Sequence, residues 1–166
     1  MPTHPDSGCA ARAAFAALLV LLAGCSSAPP KPRPMPPEVL NPEVTPANVR
    51  ETICRPDYVA AQQPGAAERR MVERDLLQRT GTDPELAATF VIDEIVPIGL
   101  GGNGHERRNL ELQTPRGEYG ANNRRALARE LQKRVCTGKL DLREAQSMMW
   151  NDWHGAYREF VPVNER

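Results

Sequence analysis

Aromatic side chains are scarce in this sequence, at 5% of 166 residues, so no large aromatic core is available. Charge of one sign is lacking too. The formal net charge is zero, and bulk charge gives no argument for a nucleic-acid partner. There are only three histidines, His4, His105 and His154, which excludes a histidine-rich metal site. No CxxC pair occurs, and there is no internal repeat. The main apolar run, Ala13 to Ala23, falls short of the roughly 20 residues a membrane-spanning helix needs. Proline is abundant and much of it is concentrated in one segment, so the folded part is smaller than the chain.

The N-terminus reads as an export signal, with Arg12 as the last charge before the apolar run. The run ends in Leu22-Ala23-Gly24-Cys25, which resembles a bacterial lipobox. That resemblance implies a lipid on Cys25, and several acyl chains would anchor the protein stably at about 0.8 kcal/mol per buried CH₂. Ser26, rather than Asp, after the cysteine implies an envelope protein on the outer membrane, facing the periplasm. From Ser26 to about Pro46 the chain is rich in Pro, Ser and Ala, as in Ala28-Pro29-Pro30-Lys31-Pro32-Arg33-Pro34. Proline removes backbone donors and favours extended polyproline II, so no core is expected there. Some 20 such residues reach roughly 60 Å at about 3.1 Å each. The expectation is a semi-rigid tether, with a motif for a proline-binding partner as the alternative. The chain thus divides into a signal (1–24), a lipidated cysteine with tether (25–46) and a domain (47–166).

With Cys9 lost alongside the signal and Cys25 taken by lipid, Cys54 and Cys136 remain. An even pair in an exported domain reads as a disulfide. It would close a loop of roughly 80 residues, worth about 4 kcal/mol in the chain-entropy model. Two free thiols or metal ligands are the alternative.

Within the domain, Ala66 to Thr80 predicts a helix with Met71, Val72, Leu76 and Leu77 as its apolar stripe and Gly81 as its C-cap. Ala87 to Ile92 is β-prone, and Asn109 to Gln113 alternates as a second strand. Between them Gly101, Gly102 and Gly104 read as turn residues needing positive φ. Tyr119 to Val135 predicts a helix burying Leu127, Leu131 and Val135, with Asn122, Arg125, Arg129 and Lys133 on another side. A last helix starts near Asp141, with Glu144 completing a capping box, and turns Leu142, Ala145, Met149 and Trp153 inward. The fold class is α+β: a ββα unit flanked by helices.

Hydrolysing a phosphodiester needs a base, a cation for the leaving oxyanion and donors that position the phosphate. The run Asp93-x-Ile95-Val96-Pro97-x-x-x-Gly101-Gly102 is followed by Arg108-Asn109-Leu110, Ala121-Asn122 and Val135-Cys136-x-Gly138-Lys139. With Asn41-Pro42-Glu43-Val44-Thr45 and Thr52-Ile53-Cys54 upstream, this order resembles small exported members of the HNH (ββα-metal) endonucleases. The resemblance runs from about Asn41 to Trp153. It implies Asp93 as a metal ligand, joined by Asn122 from the helix. Asn109 would orient the base or brace the loop, and Arg124 would contact phosphate. Arg125 stands where related proteins often carry an acid. The divalent metal would be Mg, Mn, Ni or Zn.

Glu94 occupies the position of the general-base histidine. A solvated carboxylate, with a pKa near 4.3, is a much weaker base than imidazole. The expectation is therefore a nuclease scaffold with reduced or lost hydrolysis, keeping a role in binding DNA, another polyanion or an envelope protein through Arg124, Arg125, Arg129 and Lys133. An active enzyme using Glu94 or His105 as base is the first alternative. A structural lipoprotein whose basic helix is merely solvated is the second.

Overall fold

The computed structural model describes residues 31–162, so the signal, Cys25 and the start of the tether lie outside the described residues. The elements run α1 (Tyr58–Ala61), α2 (Ala66–Thr80), β1 (Val91–Glu94), β2 (Leu110–Gln113), α3 (Ala121–Cys136) and α4 (Leu142–Phe160). β1 and β2 form an antiparallel two-stranded sheet in which Ile92 faces Leu112, Asp93 faces Glu111 and Glu94 faces Leu110. The architecture is α+β, with more helix than strand.

Period-two alternation gives the hairpin two unlike faces. Ile92, Leu110 and Leu112 pack on Val72 and Leu76 of α2. Asp93 and Glu111 point the other way, toward α3. Leu127, Leu131 and Val135 of α3 are buried against Leu142, Ala145, Met149 and Trp153 of α4, and Ile53, Val96 and Leu100 complete this larger core. Cys54 and Cys136 are joined by a disulfide that pins the chain before α1 to the end of α3 across 82 residues of sequence.

The helix boundaries follow their caps. Gly81 ends α2 at φ 64°, and the Asp141 carboxylate accepts from the backbone N–H groups of Arg143 and Glu144 at the start of α4. Met71 is a correction to the expected stripe, since it is 52% exposed while Val72, Leu76 and Leu77 are buried. The first strand begins later than the β-prone run suggests. Pro84 to Thr89 winds into a 3₁₀ turn because Pro84 fixes φ at its start and the Asp83 side chain caps Glu85 N–H.

The glycine loop also departs from expectation. Only Gly101 of the three has positive φ, at 78°. Gly102 is glycine for lack of room, since a Cβ there would overlap the Val96 carbonyl oxygen. At Gly104 a Cβ would come within 2.7 Å of Ile98 Cδ1.

The proline-rich stretch is docked from Arg33 onward, where the sequence predicts a coreless tether as far as residue 46. Val39 is fully buried and Val44 is buried with it. Leu40 forms a β-bridge with Gly102, Asn41 N–H donates to Gly101 O at 2.9 Å, and Asn103 N–H donates to Val39 O at 2.8 Å.

Candidate functional site

Asp93 and Glu111 are cross-strand neighbours of like sign, an arrangement that repels unless a cation intervenes. Arg124, from the first turns of α3, supplies that cation. Its side chain is 5% exposed, pairs with the Glu111 carboxylate and lies 3.8 Å from Asp93 Oδ2. Its guanidinium stacks 4.8 Å from the Trp153 ring of α4. Arg125 closes the other side, with Nε donating to Asp93 Oδ1 at 3.1 Å. The Asp93 carboxylate, 2% exposed, is therefore held between two guanidiniums. Burial nevertheless pushes its pKa above the ordinary value, more than Arg125 and Arg124 pull it down.

Glu94 follows Asp93 on the same strand and so faces away from it. It lines an open groove of about 220 Å³ with Pro97, Arg125, Ala128, Arg129 and Gln132. Burial raises its carboxyl above the ordinary value, the Asp93 charge adds to the rise, and Arg125 opposes it. Asn109 is fully buried. Its Oδ1 accepts from Val96 N–H at 2.8 Å, and its Nδ2 donates to Val96 O at 2.9 Å and to Asn103 O at 3.1 Å. These bonds tie the two ends of the glycine loop together, so Asn109 braces the loop.

The remaining site candidates are dispersed. Asn122 is exposed on the first turn of α3, apart from the hydrogen-bonded network around Asp93. Arg129 and Lys133 are exposed further along the helix and share a second surface depression near the Cys54–Cys136 bridge. His105 Nδ1 lies 2.8 Å from Glu68 Oε1, which holds the ring toward α2. His154 sits between the Tyr119 and Trp153 rings, each centroid 4.1 Å away. Burial and the nearby Arg124 charge lower its pKa.

A divalent metal fits this donor set poorly. Asp93 and Glu94 alternate to opposite faces of β1, Asn122 is exposed and outside the bonded network, and two cations already face the Asp93 carboxylate. Among the described residues no three His, Cys, Asp or Glu side chains gather as a ligand group. Among the described residues no helix is long and apolar enough to cross a membrane. The chain matches no family model, no curated protein and no solved structure.

Glu111 and Trp153 are the partners of the site that the sequence alone does not single out. Alternation within Asn109–Gln113 carries the signal for Glu111: with Leu110 and Leu112 on one face, Glu111 must share the other with whichever residue of β1 is opposite it.

Proposed function

We propose that this is an envelope-anchored protein on an HNH-like ββα scaffold, with phosphodiester hydrolysis reduced or lost and a polyanion-binding surface retained along α3. The observation that supports this best is the capture of Asp93 by Arg124 and Arg125. An acid already neutralised by two guanidiniums is a poor ligand for a cation. What stays open is basic: Arg129 and Lys133 are exposed, and Arg125 borders the groove beside them. Guanidinium forks suit phosphate. The lipid on Cys25, the outer-membrane location facing the periplasm and DNA as the polyanion belong to the same proposal.

Binding of labelled duplex DNA, followed by anisotropy at several salt concentrations, checks it. Affinity should fall with salt and be largely indifferent to sequence. Arg129→Ala with Lys133→Ala should weaken binding and reduce the salt slope by about two. Absence of binding, or a slope the double variant leaves unchanged, would favour the structural envelope role.

One observation favours a second reading, an active endonuclease with Glu94 as base. Burial raises the Glu94 pKa, which brings the carboxylate closer to a useful general base than a solvated one. The His105 version is less favoured, because its ring is paired with Glu68.

A further inference from the structure

The strap that precedes the domain is fixed at its very start. Arg33 N–H donates to Asn151 Oδ1 at 2.8 Å, and its guanidinium donates to the Trp150 carbonyl at 2.9 Å. The same guanidinium lies 4.2 Å over the Trp150 ring. Met35 then packs on the core, Val39 is buried, and Leu40 and Asn41 are bonded to the glycine loop. The strap is therefore docked from Arg33 onward.

That changes the reach of the anchor. Cys25 and Arg33 are separated by only eight residue steps. Eight steps reach at most roughly 28 Å even when fully extended, against roughly 60 Å for a tether of some 20 residues. Where the strap lands also sets a direction. Arg33 is bound beside Trp150 and Asn151 of α4, which packs on α3. α2 covers the opposite face of the hairpin from the one that meets α3. With the lipid on Cys25 proposed above, on which this inference rests, we infer that the domain is seated on a phospholipid surface. The α4 side around Ser147 and Asn151 faces the headgroups and α2 faces away. No headgroup pocket is required, since the docked strap starts the short leash from the α4 side. Arg33, exposed beside Trp150, places a cation at the membrane-proximal end, where anionic headgroups attract it.

The test uses the full chain, processed and reconstituted in phosphatidylethanolamine–phosphatidylglycerol vesicles carrying an acceptor-labelled lipid. A donor dye is placed at Ser147→Cys or at Met71→Cys, both exposed positions, on α4 and α2 respectively. The disulfide protects Cys54 and Cys136 from the dye. Energy transfer should be at least twofold higher from position 147 than from position 71. A flexible Gly/Ser spacer of about 20 residues between Lys31 and Pro32 should lower transfer from 147 by at least half and remove the difference. Mass analysis of the N-terminal peptide runs alongside. No lipid on Cys25 overturns both the anchoring and the seat. Lipid on Cys25 with equal transfer from the two positions, or with no effect of the spacer, overturns the seat alone.

Discussion

Removing the Arg124 guanidinium would leave Asp93 and Glu111, two carboxylates paired across the hairpin, without their shared cation. Breaking a buried ion pair from one side costs about 3–5 kcal/mol, because a charge is stranded. Arg124→Ala should therefore lower stability in urea unfolding by about 3 kcal/mol or more. Arg129→Ala, on the exposed side, should stay within about 0.5 kcal/mol of wild type. Equal, small losses would show that Arg124 is not buried in this network. Glu94 offers a test of opposite sign. Its pKa is raised in the folded state, so the ionised form costs stability above that pKa and the cost vanishes below the ordinary value of 4.5. Glu94→Gln should raise the melting temperature at pH 7, with the gain shrinking toward zero as pH falls to about 4. A loss at pH 7 would mean that Arg125, whose charge opposes the rise, holds the charged form instead.

Among the elements, the strap is the piece whose role differs most from its composition. Its prolines read as tether, yet Val39 and Val44 fill the core and Leu40 extends pairing to the glycine loop. Proline content predicts backbone conformation correctly here. It does not show that two valines spaced between prolines meet a hydrophobic surface built elsewhere in the chain. A fragment of residues 47–166 loses both side chains, each worth about 1.5–3 kcal/mol when buried. Compared with residues 32–166 it should be less stable by about 3 kcal/mol, with faster amide exchange at residues 101–103. Equal stability would place the strap outside the cooperative unit. The helices are the most legible elements, because Gly81 and Asp141 mark ends that the structure reproduces. The interruption of α4 at Asp152 carries no such mark. There φ is −154°, and the side chain caps Gly155 N–H as if starting a new helix.

Taken whole, the molecule shows why its fold is easier to read than its site. Periodicity and caps are local, and they locate the strands and helices to within a few residues. Arg124 reads in sequence as a surface phosphate contact, although it precedes Leu127 and Leu131 by three and seven residues, on the buried side of α3. Its charge argues for solvent, and its partner Glu111 and ring Trp153 come from elements that only tertiary packing brings near. Asp93 and Glu94 read as neighbours in one site, while strand geometry sends them to opposite faces. The Cys54–Cys136 bridge is legible because few cysteines remain to pair. The proposed function turns on a nuclease-like scaffold whose acid is neutralised and whose base is replaced. Plasmid cleavage by residues 32–166 decides the matter, with Mg²⁺, Mn²⁺, Ni²⁺ or Zn²⁺ in turn, for wild type, Asp93→Ala and Glu94→His. Wild type should cut no more than the Asp93→Ala background, and Glu94→His alone should stay silent because Arg124 and Arg125 still hold Asp93; metal-dependent cutting by wild type that Asp93→Ala abolishes would overturn this reading.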